Sequence, residues 1–307
     1  MGRRIAVAIP ARNEAANLPK CLAALATAAE IAGVDRLDAV VLANNCYDET
    51  ASAVTGLNLS RRLRIEVVET QLPPERAHAG WARRLALDAA SDHLRDPDDL
   101  LLSTDADTLV AEDWLSRTVA WFDRGYDAVA GLARLQPREL RKLPRPHRAR
   151  LAAIRRYDHA IGYLRAVRDH SEPWPRHFYE GGASIALTHA AYRATGGAPT
   201  PCVGEDKALF DAVRGIGGRV RHAVDVRVMT SSRLVGRAAG GTSDTLALWG
   251  RLADDEVIHG VKTIAENLDL KGAEFRGLTF EDLPAELDRA RALVRLTRQS
   301  QDLAAAG

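Results

Sequence analysis

The 307-residue sequence holds only three cysteines, Cys21, Cys46 and Cys202, far apart and without a Cys-x-x-Cys pair. That usage offers neither a zinc site nor a disulfide framework, and it suits a reducing compartment. Charge of either sign in excess is also lacking: 42 Lys and Arg meet 41 Asp and Glu, for a net charge of +1. Neutralising many phosphates needs a cationic surplus, so no nucleic acid partner is expected. No apolar run approaches the roughly 20 residues of a bilayer span, and the short run before Pro10 is no signal-peptide core. The expectation is a cytoplasmic protein.

What the chain does have is alternation. Ile5 to Ile9 is a continuous apolar run closed by Pro10, and Leu18, Leu22 and Leu25 then recur at helical spacing, with Asn17 as a candidate cap. Strand-like runs follow at 39–42, 64–70, 100–104, 128–132 and 184–187, with helical patterns between them and a last strand within 219–229. Strands alternating with helices predict an α/β fold, a mostly parallel sheet flanked by helices. Residues 136–180 break the pattern with five prolines, and 138–156 hold eight Lys or Arg against one Glu. This segment reads as an insertion or partly helical lid, either a solvated basic face or one that meets an anionic acceptor or membrane surface. The expected division is a sheet domain over 1–241, containing that insertion, and a helical C-terminal extension over 242–307.

The stretch Leu100-Leu101-Leu102-Ser103-Thr104-Asp105-Ala106-Asp107 draws most attention. A buried strand would deliver Asp105 and Asp107 to its carboxyl end, where open α/β sheets bind ligands. Two carboxylates so close repel unless a cation lies between them, which suits Mg²⁺ or Mn²⁺ carrying substrate phosphates. Asp after a strand also serves turns and helix caps, and both readings stand on this stretch alone.

Several stretches in order resemble the family 2 glycosyltransferases of GT-A fold. The opening Ile5-Ala6-Val7-Ala8-Ile9-Pro10-Ala11-Arg12-Asn13-Glu14 resembles their first strand and Pro-x-x-Asn-Glu loop, so Pro10, Ala11, Arg12 and Glu14 are expected to frame the nucleotide. Asn44 stands where the family usually has an Asp that contacts uracil, and Asp48 matches a later Asp. Ala82-Arg83-Arg84 is similar to an Ala-Arg-Asn on the third helix, which implies that Arg83, and after it Arg84, faces donor phosphates. Asp105-Ala106-Asp107 matches the Asp-x-Asp metal motif, with Asp105 also toward the donor. Gly181-Gly182-Ala183-Ser184 resembles the acceptor-side stretch. Gly204-Glu205-Asp206 matches the Glu-Asp pair whose Asp is the base in inverting members. These carboxylates would also favour a helix amino terminus without any catalytic role.

The resemblance implies metal-dependent, inverting transfer of a single sugar from a nucleotide-sugar donor to an acceptor hydroxyl, with Mn²⁺ or Mg²⁺ on Asp105 and Asp107. Asp206 would act as the base and Glu205 would orient it. The Gln-x-x-Arg-Trp signature of processive synthases is absent, which points to a non-processive enzyme. The acceptor is unknown; the basic stretch keeps an acidic or lipid-linked acceptor and peripheral membrane contact in view. The rivals are a nucleotidyltransferase on a related fold, for which a Gly-rich phosphate loop is missing, and a nucleotide-binding protein without catalysis.

Overall fold

The computed structural model describes residues 2–237, 240–270 and 276–306. The chain forms two compact units. The first comprises 1–136, 179–231 and 237–239, and the second 137–178, 232–236 and 240–307. Residues 137–178 therefore group with the C-terminal helices, where the sequence suggested an insertion belonging to the sheet domain.

The first unit is built on one sheet. Its strands are β1 (Ile5–Ala11), β2 (Leu37–Asn44), β3 (Leu63–Thr70), β4 (Leu100–Ser103), β5 (Leu109–Val110), β6 (Ala128–Leu135), β7 (Ile185–Thr188) and β8 (Val220–Thr230), in the order β3-β2-β1-β4-β7-β6-β8-β5. Strands β3, β2, β1 and β4 run parallel, and β6 and β8 are also parallel to each other. β7 runs against both of its neighbours, and the two-residue β5 pairs antiparallel with β8.

Both faces of β1 and β4 are buried, which is why Ile5–Ile9 of β1 and Leu100–Leu102 of β4 are apolar runs. Ile5, Val7 and Ile9 of β1 and Leu100 and Leu102 of β4 enter one core. Ala6 and Ala8 with Leu101 enter the other, as a side-chain period of two requires. The first core is closed by α1 (Leu18–Ala32) and α3 (Trp114–Phe122), the second by α2 (Ala79–Ser91) and α7 (Glu205–Gly215), with α6 (His189–Ala194) after β7. α1 has Pro19 in its first turn and is closed by Gly33, whose φ of 65° gives the left-handed turn that terminates it. Asn17 precedes α1 without capping it through its side chain; its Nδ2 donates instead to Glu14 Oε2 at 2.8 Å.

The second unit is helical: α4 (Pro137–Leu140), α5 (Arg145–Arg168), α8 (Thr242–Arg251), α9 (Ile264–Asn267) and α10 (Leu283–Ala306). Ile154, Tyr157, Ile161 and Leu164 of α5 share a core with Leu283, Leu287 and Ala290 of α10. The Tyr157 hydroxyl donates to the Lys262 carbonyl at 2.8 Å. Part of the basic stretch is structural, since Arg150 donates to the Trp249 carbonyl at 2.9 Å, pairs with Asp254 and lies over the Phe280 ring. Among the described residues no helix is long and apolar enough to cross a membrane.

Candidate functional site

The carboxyl ends of β1 and β2 lie side by side, Ala11 opposite Ala43. The loops that leave them are tied together. Asn13 and Asn45 take positive φ angles of 55° and 49°, a region that Asn tolerates better than most residues. Asn13 Oδ1 then accepts the Tyr47 N–H at 2.9 Å, and the Glu14 N–H donates to Thr50 Oγ1 at 2.8 Å. Asp48 accepts the Ala15 N–H at 3.2 Å. Burial pushes the Asp48 carboxyl upward, but the Thr50 hydroxyl and the backbone N–H groups of Ala15 and Thr50 outweigh it and hold it below its ordinary value. Asn44 is buried at the end of β2, while Tyr47 is 84% exposed. Arg12 reaches the Ala77 carbonyl at 3.4 Å. Arg237, which follows the last core strand and for which the sequence leaves a diphosphate contact and a surface role both open, brings its Nε within 3.8 Å of Glu14 Oε1.

Beside them, β4 ends at Ser103 and the chain turns at once, with the Thr108 N–H donating to the Asp105 carbonyl at 3.0 Å. Asp107 Oδ1 is 3.4 Å from Thr230 Oγ1, and the Asp107 carbonyl accepts Gln136 Nε2 at 3.1 Å. Cys21 lies beneath this turn with its Sγ 3.6 Å from the Asp105 carbonyl. Burial, with Asp107, Asp105 and Glu14 adding to it, drives the thiol's pKa far upward.

Arg83 is the hub. It is 5% exposed, and its guanidinium donates to Glu205 Oε1 at 3.2 Å, Ser103 Oγ at 3.0 Å, the Gly182 carbonyl at 3.1 Å and Asp105 Oδ1 at 2.8 Å. Burial would lower its pKa, yet Asp105 and Glu205 more than reverse that and fix the cation. The sequence reading placed Arg83 against donor phosphate; its fork is instead engaged by the protein. Arg84 sits elsewhere on α2, bound to Asp88 at 2.6 Å and to the Ala198 carbonyl at 3.1 Å, and the structure does not bring it to the carboxylates.

Glu205 and Asp206 open α7 after Gly204, whose φ is 76°. Glu205 is buried against Arg83. Asp206 is half-buried, accepting the Gly182 N–H at 2.9 Å and the Lys207 N–H at 2.8 Å. Burial raises the Asp206 carboxyl above its ordinary value and the charge of Glu205 adds to this, with Arg83 and the two N–H groups opposing. Gly182 thus serves both sides, its carbonyl on Arg83 and its N–H on Asp206. A Cβ there would overlap the guanidinium, whereas one at Gly181 would meet open space. The close approach permitted at Gly182 is to Arg83, where the sequence suggested a sugar. Glu180, one step earlier, pairs with His222 Nε2 at 3.0 Å and with Arg214.

With this geometry in place, the comparisons decide the family. The model of glycosyl transferase family 2 matches residues 6–196, more than half of the chain. The chain belongs to glycosyl transferase family 2. The sheet unit of this family 2 chain is an α/β unit, a mostly parallel eight-stranded sheet flanked by helices. No functionally curated protein matches the sequence. Among solved structures, S. aureus TarS is similar at 17% identity and a TM-score of 0.48, over 75% of this chain and 37% of TarS. The mannosyltransferase PcManGT from Pyrobaculum calidifontis, in complex with GDP-Man and Mn²⁺, is similar at 23% identity and a TM-score of 0.48, over 76% of this chain and 58% of its own. Glucosyl-3-phosphoglycerate synthase from Mycobacterium tuberculosis gives 19% identity and a TM-score of 0.45, over 76% and 73% of the two chains. The family 2 chain thus spans little more than a third of TarS and under two thirds of PcManGT.

Among the described residues there is no group of three or more His, Cys, Asp or Glu that could hold a metal by itself. The family 2 chain offers two carboxylates, and the Thr108 hydroxyl beside them is buried without a hydrogen-bond partner. That donor set fits a hard cation which keeps waters and takes its remaining oxygens from phosphates, the usual habit of Mg²⁺ and Mn²⁺. It does not fit zinc, which asks for three or four protein ligands.

Proposed function

We propose that this chain transfers a single sugar from a nucleotide-sugar donor to an acceptor hydroxyl, with inversion, using Mn²⁺ or Mg²⁺ held by Asp105 and Asp107. The observation that carries the reading is Arg83, which joins Asp105 on the donor side to Glu205 on the acceptor side within one buried network. The bound cation supplies charge stabilisation to the departing diphosphate. Pro10, Ala11, Arg12, Glu14 and Asn44 frame the nucleoside, and the uncharged Asn44 leaves the base open. Since Arg83 is committed to protein and Arg84 is turned away, Arg12 and Arg237 are the guanidiniums beside these loops that would meet the diphosphate.

Asp206 takes the proton of the acceptor hydroxyl as its oxygen bonds to the anomeric carbon and the bond from that carbon to the diphosphate oxygen breaks. Nucleoside diphosphate leaves, and the attack from the opposite face gives inversion. Glu205, fixed by Arg83, positions Asp206 and raises its basicity through like charge. The base works only when ionised. Its raised pKa therefore moves the acid limb of the rate above where an ordinary aspartate would put it, with activity lost as pH falls through the pKa of Asp206.

Asp206→Asn tests the assignment. Nucleotide-sugar binding should survive while release of nucleoside diphosphate falls by about 10²- to 10⁴-fold; a variant turning over at the wild-type rate would reject Asp206 as the base. The family match supports a sugar transferase over a nucleotidyltransferase. A non-catalytic nucleotide binder would bind donor in the same assay and release nothing.

A further inference from the structure

The second unit holds a feature that sugar transfer leaves unused. Arg155 and His159 of α5 are one helical turn apart and share a face, with Arg156 beside them. Arg291, Arg295 and Arg298 of α10 stand at spacings of four and three, again on one face. The two faces meet in a groove of about 410 Å³ lined by these six side chains, with Ala160, Tyr163 and Val294 between them. Among the described residues no Asp or Glu lines it.

Like charges four residues apart on a helix oppose each other, as Arg291 and Arg295 do on α10, and Arg156 across the groove adds a further cation to that set. Packing does not demand it, because α5 and α10 bury Ile154, Ile161, Leu287 and Ala290 against their shared core while the arginines stay exposed. Asp288 reaches Arg291 at 3.5 Å from the neighbouring turn, and Arg298 lies over the Tyr163 ring with its carbon 4.9 Å from the centroid. The Tyr163 hydroxyl is held by Gln301 at 2.9 Å, which keeps the ring under that guanidinium.

We propose that this groove is a binding site for phosphate groups, distinct from the carboxylate site of the sheet unit and independent of the transfer reading. Guanidinium forks match phosphate oxygens two by two, and a row of them recurring each helical turn suits a ligand carrying more than one phosphate. A neutral ligand would gain nothing from the charge of these guanidinium groups. The phosphates come either from a soluble phosphorylated molecule or from phospholipid headgroups.

The full chain is titrated calorimetrically with sodium tripolyphosphate in EDTA, which keeps cations off Asp105 and Asp107. In parallel it is sedimented with vesicles of phosphatidylglycerol and phosphatidylcholine, against phosphatidylcholine alone. At least one arm should saturate, and Arg295→Gln with Arg298→Gln should weaken it by at least about tenfold, with helix content by circular dichroism unchanged. Arg193→Gln, an exposed arginine of the sheet unit, should bind as wild type. Saturation by tripolyphosphate identifies a soluble ligand and saturation by acidic vesicles a lipid one. Absence of binding in both arms, binding that the double variant retains, or an equal loss in Arg193→Gln would overturn the proposal.

Discussion

The two units treat arginine in opposite ways. In the sheet unit Arg83 is buried and every contact it makes is to a partner fixed by the fold, two of them carboxylates. In the helical unit Arg155, Arg156, Arg291, Arg295 and Arg298 crowd one groove that, among the described residues, no acidic residue lines. A cation saturated by its own protein is a structural part, and it positions whatever carboxylates it holds. Guanidinium groups that converge on an open groove can take a ligand from outside. The sequence makes the two kinds look alike, since both sit at helical spacing among other basic residues.

Removing Arg83 should show the contrast most strongly. Arg83→Met leaves Glu205 buried without its counter-charge, and chemical denaturation should report a loss of about 3–5 kcal/mol, together with loss of transfer. If stability is kept, Arg83 is not the hub described. Gly182→Ala attacks the same network from the other side, by pressing a methyl group into the guanidinium. It should cost about 1–3 kcal/mol, while Gly181→Ala next to it stays within about 0.5 kcal/mol of wild type. Equal effects at the two glycines would break the link between Gly182 and Arg83. Smallest of all, Arg295→Gln in the helical groove should change stability by no more than about 0.5 kcal/mol. A large loss there would mean that the groove arginine, like Arg83, is built into the fold.

What was legible in the sequence was local. β1 and β4 stand out because both of their faces are buried, leaving the apolar runs Ile5 to Ile9 and Leu100 to Leu102, and Asp105 and Asp107 mark the turn that ends β4. The opening of α7 at Glu205 is equally plain, because its carboxylates favour a helix amino terminus. The antiparallel direction of β7 and the two-residue β5 leave no comparable trace, since direction comes from long-range pairing. The partners of Arg83 are separated from it by 20 to 122 positions, so nothing in Ala82-Arg83-Arg84 announces that it is buried or that Gly182 makes room for it. Arg237 comes to Glu14 from across the chain in the same way. The grouping of 137–178 with the C-terminal helices is hidden for a related reason: α5 and α10 each look amphipathic alone, and only their shared core shows that one completes the other.

The most direct measurement concerns Asp107, because the reading of the sheet unit depends on a cation joining its carboxylates to a diphosphate. Calorimetric titration of wild type and Asp107→Ala with a panel of nucleoside diphosphates, each with and without Mn²⁺, isolates that point. The account predicts that Mn²⁺ tightens binding of a preferred nucleotide to wild type and leaves its affinity for Asp107→Ala unchanged. An Asp107→Ala protein whose affinity still rises with Mn²⁺ as in wild type would contradict it.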